Sequence, residues 1–268
     1  MRKLCLIVGC AVLLSCPAVF AVEPAGRGGE ELTLTIPGPG QLNLVMKMIP
    51  AGSFMMGSPA TEKRRGDDEG PIHEVVISKP FYMGAYEVTQ AQWEAVMGTN
   101  PSRTKGADLP VDQVSWLDCQ AFIEKLNAMG IGTFRLPTEA ESEYACRAGT
   151  QTSFYWGDDN EERAVGDYAW YNQNSDRISQ PVGRKKPNAW GLYDMSGSIF
   201  EWCQDRYADA YSPGKQTDPQ GPDSGMYRVL RGGSFDHWPM FLPSANRFRY
   251  LPVVRYYCVG FRLVRTRE

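Results

Sequence analysis

The sequence lacks an excess of basic charge, an apolar run long enough to cross a bilayer, and any closely spaced cysteine pair. The whole chain holds 28 Lys+Arg against 31 Asp+Glu. Arg2 and Lys3 are the only charged residues among the first 21, so residues 22–268 hold 26 basic against 31 acidic groups, a net charge of −5. No basic face follows from that balance, and nucleic acid is not the expected partner. The longest apolar run, residues 4–14, is too short to span a membrane. With Arg2 and Lys3 before it and Val19-Phe20-Ala21 after it, it makes residues 1–21 an export signal peptide. The chain is therefore expected to be periplasmic or extracellular. The alternative is a lipoprotein signal at Leu13-Leu14-Ser15-Cys16, which would tether the domain to a membrane through Cys16.

Of seven cysteines, Cys5, Cys10 and Cys16 fall in the signal, leaving Cys119, Cys146, Cys203 and Cys258. Their wide spacing predicts free, buried thiols, with two disulfides in any of three connectivities as the alternative. No internal repeat is evident. Removing 21 of 268 residues leaves 247, enough for one large domain with a substantial core. Abundant Gly (27) and Pro (19) with seven Trp predict a loop-rich domain held by aromatic packing.

Residues 22–40 read as a linker carrying one strand at Leu32-Thr33-Leu34-Thr35-Ile36, ahead of a domain over residues 41–268. Residues 42–46 and 52–57 read as a hairpin turning at Pro50-Ala51-Gly52, with further strands over 73–78, 81–88 and 259–264. Three helices have start signals: Thr89 with Gln92, Ser115, and Thr138 with Glu141; Gly98, Gly130 and Gly149 end them. Glu139, Glu141 and Glu143 are then helix-start carboxylates without a catalytic role. His73 is a strand residue beside a charged surface loop.

The stretch over residues 190–203, Trp-Gly-Leu-Tyr-Asp-Met-Ser-Gly-Ser-Ile-Phe-Glu-Trp-Cys, is chemically unusual. Asp194 and Glu201 flank the carbonyls of Gly197 and Ile199 among side chains that would bury them. Buried carbonyls need partners, and two buried carboxylates repel unless a cation lies between them. Ca²⁺ would satisfy both through oxygen ligands. An ordinary turn leading into a helix capped by Asp194 or Ser196 fits the spacing equally well.

Several motifs around this loop carry a resemblance: Pro187-Asn188-Ala189-Trp190-Gly191-Leu192-Tyr193-Asp194, Glu201-Trp202, Arg135-Leu136-Pro137-Thr138-Glu139-Ala140-Glu141, Arg231-Gly232-Gly233-Ser234-Phe235 and Gly260-Phe261-Arg262-Leu263. In this order they resemble the formylglycine-generating enzyme family, also called the sulfatase-modifying-factor domain. The resemblance implies an α+β, divergent C-type-lectin-like fold, loop-rich, with short strands, about three helices and bound Ca²⁺. It maps one calcium site onto Asp194, Gly197, Ile199 and Glu201, and brings a second near Asn174 and Asp176.

Oxidising members of that family bind Cu(I) through a cysteine pair after Gly-Gly-Ser, because a soft ion requires thiolate ligands. Residues 232–247 contain no cysteine. The two positions fall near His237 and on Leu242, and an apolar Leu cannot ligate copper. Ser198 and Phe200 also replace the usual Asn and Trp, and Cys258 stands where Asn is usual. A substitute soft site would have to come from His237, Met240 and Cys258. The expected protein is thus a binding domain or pseudoenzyme of the cell envelope. Its cleft would comprise Phe200, Trp202, Ser234, Phe235, His237 and Trp238 with Arg247 and Arg249 at the rim, and would take a protein, a peptide or a carbohydrate ring. The alternative is a formylglycine-generating oxidase acting on a sulfatase cysteine.

Overall fold

The computed structural model describes residues 30–38, 40–159 and 162–267. The expected signal peptide lies outside them. Twelve strands and four helices occur among these residues: β1 (Glu31–Ile36), β2 (Leu42–Ile49), β3 (Gly52–Met56), β4 (His73–Ile77), β5 (Phe81–Gly84), α1 (Gln90–Met97), α2 (Trp116–Ala128), β6 (Phe134–Arg135), α3 (Glu139–Arg147), α4 (Val165–Tyr168), β7 (Phe200–Arg206), β8 (Gln216–Thr217), β9 (Arg228–Arg231), β10 (Phe248–Tyr250), β11 (Val259–Gly260) and β12 (Val264–Thr266). They form sheets ordered β1-β2-β5-β12-β6, β10-β9-β7-β11 and β3-β4-β8. This is an α+β fold, with short strands joined by long irregular segments.

The helix starts follow the side-chain signals. Thr89, Ser115 and Thr138 each cap the backbone of their first turn, and Gln92, Asp118 and Glu141 return the bond to complete capping boxes. Gly98 ends α1 in the left-handed region at φ 79°. The caps of α2 and α3 are Met129 and Ala148, each one residue before the expected glycine.

Two strand expectations are corrected. The hairpin between residues 42–46 and 52–57 does not form, because β2 has both edges occupied, by β1 and β5. The chain turns out of that sheet, and β3 pairs with β4, burying Phe54 and Met56 against Val75, Ile77 and Tyr144. The strand expected over residues 259–264 is two strands in two sheets: β11 lies parallel to β7, and β12 pairs antiparallel with β5 and β6. The crossing occurs at Gly260, where a Cβ would lie 2.2 Å from the Val111 carbonyl oxygen, so only glycine fits. One core gathers Trp93, Trp116, Phe122, Trp202 and Phe261; a second gathers Phe54, Tyr144, Trp190 and Met195. Each fully buried aromatic contributes roughly 2–3 kcal/mol. Cys119, Cys146, Cys203 and Cys258 are free and buried, as their spacing predicted.

Helix α3 is also the anchor of a buried chain of charges. Arg147 Nε binds Glu143 Oε1 at 2.9 Å, and Arg231 Nη2 binds Glu143 Oε2. Arg231 lies 3.9 Å from Glu139, whose oxygens take Arg247 Nε and Nη2 at 2.6 and 2.9 Å. Burial alone would raise the Glu143 pKa, but Arg147 and Arg231 hold it below the ordinary value. Of the three helix-start carboxylates, only Glu141 completes the cap, with Arg135 beside it. Glu139 and Glu143 are ion-pair centres instead, because their side chains turn inward onto three arginines. Arg231→Met is expected to lower stability by about 3–5 kcal/mol, since it strips Glu143 of one buried partner. Glu141→Ala should cost about 1–2 kcal/mol, the loss of a cap and a partly exposed pair. Urea unfolding midpoints decide; similar losses for the two variants would contradict the ion-chain reading.

Candidate functional site

The loop leading into β7 turns on left-handed residues, with φ of 57° at Asp194, 83° at Gly197 and 59° at Ser198. A Cβ on Gly197 would lie 2.2 Å from the Trp170 carbonyl oxygen, so the close approach requires glycine. Asp194 Oδ2 accepts the Gly183 N–H at 2.6 Å, while its Oδ1 is buried with no donor. Glu201, on β7, faces Arg262: Nη2 lies 2.8 Å and Nε 3.0 Å from Oε1. Arg262 is fully buried and also donates to the carbonyls of Gly84 and Tyr193 at 2.9 and 2.8 Å. It is the segment between β11 and β12 that carries this guanidinium.

A third carboxylate joins this pair, and the sequence reading passed over it. Glu87, just after β5, is 1% exposed, and neither of its oxygens has a hydrogen-bond partner. Its signal was an acidic residue ending an apolar run immediately before the Thr89 cap. Burial and then Asp194 push the Glu87 pKa well above the usual carboxylate range; burial pushes Asp194 up to about 6. Three buried carboxylates thus share one guanidinium. Among the described residues no three His, Cys, Asp or Glu side chains are arranged to hold a metal by themselves. A carbonyl-rich calcium site needs fewer side chains, and the orphaned Asp194 Oδ1 fits one. Glu201 fits it in part: its carboxylate has about four lone-pair directions, of which Arg262 takes some. At the other expected cation loop, Asn174 closes its own turn, accepting the Tyr171 N–H and donating to the Ala169 carbonyl, both at 2.9 Å. Asp176 there is exposed.

At the two positions where the resemblance implies thiolates, Leu242 is wholly buried in a cluster with Phe154, Val165 and Ala169. His237 is half-buried, edge-on to Phe200 and Phe241 at 5.0 and 5.3 Å, and its Nδ1 lies 2.6 Å from Ser234 Oγ. Ser234 is also the hydrogen-bonding neighbour of Cys258, but burial outweighs that bond and pushes the thiol up to about 12. Cys258 is therefore a neutral thiol near pH 7, unlike a reactive or metal-binding cysteine. Met240 is exposed, on the short 3₁₀ turn Pro239–Phe241.

Of the expected cleft, Phe200, Ser234 and Phe235 lie beside His237 but are buried, the two rings in the core, which leaves half-buried His237 and Trp238, 53% exposed, at the surface. Phe248 stacks on Phe200 at 5.2 Å and extends the aromatic surface toward Tyr250. Trp202 is in the same core as Phe200, two residues along β7, with its indole N–H on the Val114 carbonyl at 2.9 Å. Arg247 is not at the rim: its guanidinium is drawn inward by Glu139. Arg249 is outside, paired with Asp209 at 3.3 Å.

These features coincide with those of known proteins. Residues 38–267 match the Sulfatase-modifying factor enzyme 1-like domain, and the chain belongs to that family. It is 32% identical over 208 residues to the chaperone protein LppX of Paenibacillus barcinonensis, covering 60% of this chain and 71% of that one. The formylglycine-generating enzyme of Thermomonospora curvata is 29% identical over 255 residues, covering 71% and 82%. In structure, the chain is similar to Treponema denticola variable protein 1, with a TM-score of 0.79 and 31% identity over 88% of this chain and 99% of that one. The fold is of the divergent C-type-lectin-like kind.

Arg262→Met would leave Glu87, Asp194 and Glu201 buried without their shared cation. The expected loss is about 3–5 kcal/mol in chelator, read from urea unfolding midpoints. A loss below about 1 kcal/mol would mean that the three carboxylates do not depend on Arg262.

Proposed function

We propose that this member of the sulfatase-modifying-factor family is an exported binding domain that has given up copper oxidase chemistry and docks a polypeptide on the face around His237 and Trp238. The observation that carries the reading is Leu242, an apolar side chain packed at 0% exposure where an oxidising member needs a thiolate. Refilling that position with a ligand would require emptying a packed cluster. Of the remaining soft donors, Cys258 is buried, Met240 is exposed on the 3₁₀ turn, and His237 stands edge-on to Phe200 and Phe241. The second reading, a formylglycine-generating oxidase, rests on the identity to enzymes of that name.

A polypeptide ligand is supported by the aromatic side chains of His237, Trp238 and Phe248 over the buried Phe200, and by the relative named as a chaperone. Rings with a polar edge bury apolar side chains while leaving hydrogen-bonding groups for a backbone. Ca²⁺ in the 194–201 loop would be held by Asp194, the carbonyls of Gly197 and Ile199, and the free lone pairs of Glu201. Its role would be structural. The positive charge would relieve the repulsion among Asp194, Glu87 and Glu201 and stiffen the loop that supports Gly232 and Phe235, to which it is bonded through the backbone.

Purified mature protein is expected to bind no Cu(I) tightly and to leave a Cys-x-Pro-x-Arg peptide unoxidised. Stoichiometric copper binding with oxygen-dependent aldehyde formation would overturn the binding-domain reading. Calcium is tested separately by thermal unfolding in calcium and in chelator. At about 100 times Kd, it should stabilise the wild type by roughly 2.7 kcal/mol. Asp194→Ala should abolish that gain, whereas Glu141→Ala should keep it. Identical melting in both conditions would leave the loop an ordinary turn.

A further inference from the structure

On the opposite side of α3 from the charge chain's Arg147 end lies a cavity of about 340 Å³, separate from the aromatic face. Its walls come from β3, β4, the start of α3, the end of β7 and the loop over residues 207–222. The apolar part is supplied by residues such as Met56, Ala140 and Pro222. The polar part is one-sided. Asp205 is 3% exposed; its Oδ2 accepts the Glu139 N–H at 2.8 Å, and its own backbone N–H also bonds the carboxyl. His73 directs Nδ1 at the Pro71 carbonyl at 3.0 Å, which leaves Nε2 as an acceptor. Gln216 and Gln220 donate their amide N–H groups to the carbonyls of Ser212 and Asp218, leaving both side-chain oxygens unbonded.

The donors of the inner wall, by contrast, are already engaged. Tyr211 O–H goes to Glu139, Arg247 is bound to Glu139 and to the carbonyls of Asp68 and Ala208, and Arg206, which also lines the cavity, donates to the Gly225 carbonyl. The Glu139 charge is balanced by Arg247, whereas among the described residues Asp205 forms no ion pair. A buried carboxyl without an ion-pair partner, in a cavity that also presents side-chain oxygens, leaves room for a cation with several N–H groups.

We propose that this cavity binds a small organic cation bearing a guanidinium or ammonium group, with Asp205 as its counter-ion and Gln216, Gln220 and His73 as further acceptors. The rings of His73 and Tyr211, 5.1 Å apart and tilted by 53°, give the cation an aromatic wall. Two features agree with this assignment. Gly221 lets the loop close over Asp205, where a Cβ would come within 2.8 Å of the Asp205 Cβ. Burial, followed by Glu139, pushes the Asp205 pKa up to about 8, so the carboxyl waits in its neutral form until a cation arrives.

The test is calorimetric titration of the mature chain with agmatine, using an uncharged diol of similar length as the control. Agmatine should bind with a sub-millimolar Kd and the diol should not. Asp205→Asn keeps an oxygen for the Glu139 N–H and should weaken binding at least about tenfold, as expected when one partner of a desolvated charge pair is lost. Gln220→Leu lies on the exposed rim, carries the test should Asp205→Asn fold poorly, and should weaken binding about threefold. Since Glu139, Glu141, Arg247 and His73 keep their own partners, binding below a pH of about 8 should release close to one proton, and at higher pH none. Absence of agmatine binding, equal affinity in both variants, or equal affinity for the diol would overturn the proposal. None of these outcomes bears on the aromatic face, which His237→Ala addresses separately.

Discussion

The alternating charge chain Arg147–Glu143–Arg231–Glu139–Arg247 is the interaction on which the rest of this structure depends. Each member is less than 7% exposed, so removing any one leaves an uncompensated buried charge. The guanidinium groups also hold carbonyls that no strand reaches. Arg147 takes those of Gly57 and Thr152, Arg231 those of Ala245 and Asn246, and Arg247 those of Asp68 and Ala208. In a domain whose strands are short, these bonds replace the ladder that would otherwise satisfy loop backbone. The chain therefore sets where the segment after Gly-Gly-Ser runs, and so where His237 and Leu242 stand.

A second cluster obeys the same rule with the opposite outcome. Arg262 is one cation among Glu87, Asp194 and Glu201, and the carboxylate excess appears as orphaned oxygens and raised pKa values. Where the first chain is balanced, the second is short of positive charge. Protonation of these carboxyls relieves part of the deficit, and the Ca²⁺ proposed for the 194–201 loop would supply the rest. Asp205 presents a smaller version of that deficit beside the first chain. Arg247 lines the same cavity but is already held by Glu139.

Under the proposed reading, function and scaffold have separated in this molecule. The residues that build the frame, from the capping box at Thr138 to the crossing at Gly260, follow the family pattern, and the fold is that of the family. The residues that would do redox chemistry are replaced by packing: Leu242 fills a cluster and His237 lies between two rings. Packing at these positions stabilises the aromatic face and takes away the open coordination that copper needs.

Local chemistry made much of this readable from the sequence. The helix starts rest on side chains within three residues of the capped backbone, so Thr89, Ser115 and Thr138 declared themselves. Free, buried cysteines and a domain of short strands were also legible, as was the special chemistry of residues 194–201. What depended on distant partners was not. Glu139 and Glu143 read as caps because Arg231 and Arg247 lie about 90 or more positions away in sequence. Strand β3 read as the partner of β2 because nothing local reveals that β5 already occupies that edge. Arg247 read as a rim residue and Trp202 as a cleft residue for the same reason. Sequence periodicity gives a side chain its face, but only the assembled fold decides which charge or core that face meets.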